Sequence, residues 1–342
     1  MVEDDEVEVV VRTLDMALIM AGAVGNGRRE MIEEMIARLE SHHDTSSYRQ
    51  ETDENGSSRK KRKVSDDDDD RFPTSHTPSP NIFFPIPRLP PPPPSTSAFQ
   101  KHLDEKNSPV IICGLVDSWP AMTTNPWASP AYLLAKTYAG KRLVPVELGS
   151  SYTAEDWSQK IMPFKEFLAS YILRPSSDPS SSALTSTETE KTKGYLAQHN
   201  LFTQIPSLRS DILTPDYCYT TPPPPPPQQQ DTPTLDVPIV NAWFGPAGTV
   251  SPLHTDPYAN VLCQVLGRKY VRLYSPAHTA NLFPRGVDAA GVDMSNTSRV
   301  DIDIDDDERW GGLENREDWK SFKSAPFLEG VLGAGEALFI PV

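Results

Sequence analysis

The chain has 342 residues, 35 prolines and a formal net charge of -15. That length suits one catalytic domain plus an accessory segment. The charge argues against nonspecific nucleic-acid binding, which draws most of its affinity from a basic face. It favours basic protein partners instead, although part of it lies in two runs, 66–70 and 301–308, that read as solvated loops. No apolar run approaches the roughly 20 residues needed to span a bilayer. Cys113, Cys218 and Cys263 form no CxxC pair, so they read as reduced, buried thiols rather than a disulfide framework. The acidic start MVEDDEVEVV has no secretory n-region, so the expectation is a soluble, intracellular protein.

From Val9 to Leu39 apolar residues recur every three or four positions, with Gly25-Asn26-Gly27 between two such stretches. A helical hairpin in a small N-terminal segment, residues 1–40, follows. Residues 41–97 are polar, then charged, then proline-rich, and are expected to form a disordered linker. Within it Arg59, Lys60, Lys61, Arg62 and Lys63 make a compact basic cluster. Import receptors read such clusters in exposed segments, so the nucleus is the expected location, with the cytoplasm as a second address. The alternative is an ordinary solvated charge run.

From residue 98 to 342 the pattern turns to short β-rich runs: Val110–Val116, Leu143–Leu148, Ile239–Phe244, Val261–Leu266, Tyr270–Leu273 and Ala337–Pro341. Helices are expected at Ser129–Tyr138 and Pro163–Leu173. Two low-complexity insertions, 175–193 and 222–233, interrupt the domain. Many short strands with Gly and Pro turns imply an all-β barrel or sandwich rather than a parallel α/β sheet.

His254-Thr255-Asp256 sits just before one of these runs. In extended backbone, residues i and i+2 share a face, so the imidazole and the carboxylate would project together. Two of the three ligands of a 2-His-1-carboxylate iron site are arranged in this way. A lone HxD arises readily by chance, and its alternative is a polar strand end facing solvent. The surrounding sequence carries more weight. The stretch NAWFGPAGTVSPLHTDPYANVLCQVLGRKYVRLYSP, Asn241–Pro276, resembles the JmjC oxygenases. So do PVIICGLVDSWPAM from Pro109, GYLAQHNLFTQIPSLRSDI from Gly194 and the final APFLEGVLGAGEALFIPV. The resemblance points to the lysine demethylase and arginyl hydroxylase group typified by jumonji domain-containing protein five.

That resemblance implies a mainly β fold: a double-stranded β-helix of the cupin or jelly-roll kind with flanking helices. It implies iron(II) held by His254 and Asp256, with 2-oxoglutarate and oxygen as co-substrates. Lys269 would pair with the distal carboxylate of 2-oxoglutarate, a task that suits a compact ammonium. Tyr195, Ser251 and Asn260 would help hold the co-substrate or order the metal site. Without the resemblance, Lys269 reads as a surface strand lysine, Tyr195 and Asn260 as packing and turn residues, and Trp243 as a core tryptophan. The implied activity is hydroxylation of a basic protein side chain, or removal of a methyl group from a lysine of a histone-like peptide. The resemblance also implies a second histidine ligand a few residues past the IPV at 340–342. The expectation is therefore a fragment whose barrel is incomplete at its C-terminal end. Its alternative is a catalytically inactive cupin scaffold that binds proteins. His278, the one histidine after Asp256, lies too early for the missing role.

Overall fold

The computed structural model describes residues 2–53, 70–72, 79–149, 157–173, 193–224, 232–287, 291–300 and 320–342. The basic cluster at 59–63, the acidic run at 301–308 and most of both insertions lie outside them. The N-terminal hairpin consists of α1 (Val2–Ala21) and α2 (Arg28–Asp53). Leu18, Ala23, Ile32 and Ile36 are buried between the two helices, with Leu14 and Ala17 packed against them.

Three pieces of sheet, antiparallel apart from the β1–β2 pair, form the main body, as the alternation of short apolar runs implies. The strands are β1 (Arg88–Leu89), β2 (Val110–Ile112), β3 (Leu143–Leu148), β4 (Ser158–Pro163), β5 (Gly194–His199), β6 (Ala242–Phe244), β7 (Asn260–Cys263), β8 (Lys269–Tyr274), β9 (Phe327–Leu332) and β10 (Ala337–Ile340). One sheet has the order β1-β2-β10-β7, a second β4-β3-β5-β6, and β8 pairs with β9 as a two-stranded ribbon. In the first sheet Leu338 lies opposite both Ile111 and Leu262.

Period-two alternation decides which side each residue serves. Val110, Ile112 and Phe339 pack with Phe99 and Leu103 of α3 (Thr96–Glu105). Ile111 and Leu338 turn the other way, onto Ile86 and Leu332. The second sheet carries the largest cluster, in which Val144, Val146, Met162 and Leu196 pack against Phe164, Phe167 and Phe202. Local signals start the helices: Ser95 caps α3, and Ser129 caps α4 (Pro130–Lys136), which has proline in its first turn. The helix expected at Pro163–Leu173 is broken into α5 (Phe164–Phe167) and a π-type turn over Leu168–Ile172.

The linker expectation for 41–97 needs correction. α2 runs on to Asp53. The backbone N–H of Phe72 donates to Ala128 O at 3.2 Å, and its ring meets Phe244 edge-on at 5.6 Å. Farther along, Ile86 N–H donates to Glu329 O and Glu329 N–H donates to Phe84 O. β1 then pairs in parallel with β2. Proline-rich composition suppresses a core of its own, but it leaves backbone carbonyls free to pair with a neighbouring edge.

The hairpin meets the barrel through a buried carboxylate, besides an ion pair of Glu8 with Lys165 at 3.5 Å. Asp15 of α1 is fully buried, and Arg142 beside β3 is 4% exposed. Asp15 accepts from Arg142 Nε and Nη2, from the backbone N–H of Leu143 at 2.8 Å and from Gln204 Nε2 at 3.1 Å. A buried carboxylate is tolerated only when its lone pairs are met in this way. Removing one partner of a buried pair leaves an uncompensated charge and costs about 3–5 kcal/mol. Asp15→Ala should therefore destabilise the chain by about that amount in urea denaturation. The double change Asp15→Leu with Arg142→Met should recover much of the loss, because it removes both charges.

Candidate active site

His254 and Asp256 do not lie on a regular strand, contrary to the extended-strand expectation. They occupy an irregular segment ahead of β7, held by an isolated bridge between His254 and Thr297. Thr255 N–H donates to Asn296 O, and Ser298 N–H donates to Leu253 O. The two side chains nevertheless converge, with His254 Nε2 3.8 Å from Asp256 Oδ1. His254 Nδ1 is 2.7 Å from the carbonyl of Pro252. A carbonyl only accepts, so Nδ1 carries the hydrogen in this bond, and Nε2 faces Asp256. Asn260, the first residue of β7, donates from Nδ2 to Asp256 Oδ2 at 2.7 Å. That bond occupies one carboxylate oxygen and leaves the other facing the imidazole.

This is the donor set and supporting shell that a nitrogen- and oxygen-ligated divalent metal takes. Both side chains are half-exposed, at 35% and 44%, so solvent and ligands reach them. Among the described residues no group of three His, Cys, Asp or Glu side chains comes together as a complete metal site. His278 lies in a 3-10 turn, Pro276–Leu282, and does not join the pair.

A second cluster centres on Tyr195 in β5. Lys269, the first residue of β8, points its Nζ at the Tyr195 hydroxyl at 3.5 Å. Burial pulls the Lys269 ammonium below the ordinary lysine range, so an arriving anion would relieve its desolvation. Burial pushes the Tyr195 phenol up to about 12, against a hydrogen bond with Ser251 and with help from the charge of Glu147. The structure thus brings Tyr195, Ser251 and Lys269 together, and separately joins His254, Asp256 and Asn260.

Two contributors were not anticipated from sequence. Glu147 of β3 sits opposite Tyr195 in the sheet register. Burial raises its carboxyl, partly offset by a hydrogen bond from Trp157. Gly245 leaves room for the tyrosine ring, because a Cβ there would lie 2.5 Å from Tyr195 Cδ2. Trp243 is 44% exposed rather than in the core, since β6 is the outer strand of its sheet. A lone Glu in a strand and a Gly after Phe carry no signal until the register is known. The thiols are half-buried and burial raises all three, Cys263 to about 12, so none supplies a thiolate near neutral pH.

A body of short, mostly antiparallel strands is the architecture of a cupin-like fold. Residues 96–342 match the family model of the cupin-like domain. The chain is 43% identical over 249 residues to zebrafish (Danio rerio) lysine-specific demethylase 8, covering 73% of this chain and 52% of that protein. It is 37% identical over 248 residues to Arabidopsis thaliana lysine-specific demethylase JMJ30, covering 72% and 48%. Drosophila melanogaster Jumonji C domain-containing protein 5 is 35% identical over 249 residues, with 72% and 53% covered. The chain spans about half the length of these relatives. It belongs to the cupin-like JmjC family.

The phenol of Tyr195 supplies a pH test. Its folded value lies above the ordinary value near 10, so its contribution to stability is full below about 10 and is lost as the pH rises toward about 12. Urea stability measured from pH 9 to 12 should fall less steeply in Tyr195→Phe than in the unaltered chain. Equal slopes would mean that the hydroxyl is not held in a desolvated site.

Proposed function

We propose that the protein is an iron(II)- and 2-oxoglutarate-dependent oxygenase that acts on a basic side chain of a protein substrate. The observation that carries this reading is the His254 ring, whose Nδ1–H is spent on Pro252 while Nε2 faces Asp256. When bound, iron with 2-oxoglutarate and oxygen supplies the oxidising chemistry that hydroxylates a C–H bond, with succinate and carbon dioxide as the other products.

The chain's own residues divide the remaining work. His254 Nε2 and Asp256 Oδ1 would hold the metal, and Asn260 fixes the carboxylate's rotation. Lys269 would receive a carboxylate of the co-substrate, and the Tyr195 hydroxyl, which accepts from Lys269 Nζ, would donate its own hydrogen beside it. Gly245 keeps the tyrosine ring seated. Glu147 gives this side of the site an anionic group suited to a guanidinium or ammonium. Orientation of the target carbon is then the protein's main contribution to rate.

Hydroxylation and demethylation share this site, since a hydroxylated N-methyl carbon leaves as formaldehyde. The names of two relatives, lysine-specific demethylases, support a lysine-bearing protein such as a histone as one substrate class. A non-catalytic scaffold is the weaker reading, because it gives no role to a desolvated lysine aimed at a buried phenol. The Arg59–Lys63 cluster supports action in the nucleus.

The experiment uses the native-length protein with ferrous ion, 2-oxoglutarate and Arg- or Lys-containing peptides. Succinate release should accompany a peptide mass gain of one oxygen, or loss of a methyl with formaldehyde. The absence of both products, with metal bound, would defeat the proposal. Lys269→Met should weaken 2-oxoglutarate binding about 10- to 150-fold, the worth of a hydrogen bond to a charged group. Calorimetric titration under anaerobic conditions measures it, and unchanged affinity would remove Lys269 from its assigned role.

A further inference from the structure

The segment that leads into the barrel is tied down at two points that lie outside the site described above. The first is Asp70–Phe72. Asp70 receives the Ser129 hydroxyl and the Ala131 N–H at the start of α4, and Phe72 lies against Phe244. The second is Ser79, whose Oγ accepts a hydrogen bond from Arg268 Nη1 at 2.7 Å. Both Ser79 and Arg268 are exposed. Arg268 belongs to the turn between β7 and β8, where Gly267 adopts a φ of +73°. Residue 269, the next in the chain, is the lysine that faces Tyr195.

Ser79 is followed by Pro80, in the sequence Thr77-Pro78-Ser79-Pro80. A residue before proline is held out of the helical region, in an extended backbone. An exposed, extended Ser-Pro is the substrate shape that proline-directed protein kinases take. The hydroxyl already sits on a guanidinium, the side chain best matched to a phosphoryl group. We propose that Ser79 is a phosphorylation site, and that its phosphoserine is received by Arg268 as a latch between the entering segment and the β7–β8 turn.

The covalent step is a simple phosphoryl transfer. Ser79 Oγ bonds to the γ-phosphorus of a nucleoside triphosphate held by the kinase. The bond from that phosphorus to the β–γ bridging oxygen breaks, a nucleoside diphosphate leaves, and the hydroxyl proton passes to the kinase's carboxylate base. Where one neutral acceptor stood, the product places about 1.5 to 2 negative charges and three acceptor oxygens. The existing contact becomes a charge-assisted pair, and it tightens the turn that begins β8.

The test treats the full chain with a proline-directed kinase and magnesium ATP, then maps the phosphate by tandem mass spectrometry. Phosphate on Ser79 is expected; transfer confined to Thr77 or elsewhere overturns the site. The second measurement is a phosphorus NMR titration of the phosphoprotein beside an Arg268→Gln phosphoprotein. A free phosphoserine loses its last proton near pH 6, so pairing should lower the midpoint in the unaltered chain by roughly half a unit. Identical midpoints in the two proteins overturn the latch. Arg268 is exposed in a turn, so its substitution leaves the fold intact for this comparison.

Discussion

One buried carboxylate sets the geometry on which the site depends. Asp15 meets Arg142, the N–H of Leu143 and the amide of Gln204 at a single point. Leu143 begins β3, and Gln204 follows β5 closely enough for its Oε1 to sit 2.6 Å from His199 Nε2 at the end of that strand. Gln204 also donates to Leu143 O at 2.7 Å. The two strands are therefore clamped at one end by a group supplied from α1. At their other end they pair Glu147 with Tyr195. A side chain from the N-terminal hairpin thus fixes the frame that presents Tyr195 and Glu147, and the hairpin is part of that frame rather than an appendage.

The two halves of the site rest on different physics. The His254–Asp256 side is assembled from short-range contacts: a ring bonded two residues back, a carboxylate bonded four residues ahead, and one bridge to the 296–298 segment. It is open to solvent. The Lys269–Tyr195 side is assembled from strands far apart in sequence and is desolvated, so its ammonium lies below its ordinary range and its phenol above. Burial works against both ionised forms there. An anion arriving there would supply a counter-charge to the desolvated ammonium.

Much of the His254–Asp256–Asn260 grouping was legible in the sequence because its information is local. A His-x-Asp spacing, an Asn four residues on and a Lys at the start of a β-rich run can all be read in one line of text. The β character of 98–342 was equally legible from period-two runs. The extended-strand argument for His254 gave the right neighbour by the wrong route, since the two side chains converge from an irregular segment. Asp15, Glu147 and Gly245 stayed hidden because their importance arises only through long-range register and packing. A charged residue on a helix face reads as solvated until a buried arginine is found against it. The docking of residues 70–72 and 79–97 stayed hidden for a related reason. Proline-rich chain has no periodicity of its own, and it takes order from the edge it lies against.

Anaerobic titration of ferrous ion into the native-length protein with 2-oxoglutarate tests the central claim most directly, followed by the visible charge-transfer band of an iron–keto acid chelate. The account predicts that the band saturates at one iron per chain and disappears in His254→Ala. It also predicts that Asn260→Ala keeps a weakened band, because that change frees the Asp256 carboxylate without removing a ligand. A band of full strength in His254→Ala would show that the metal is held elsewhere, and the site assigned to this fold would be wrong.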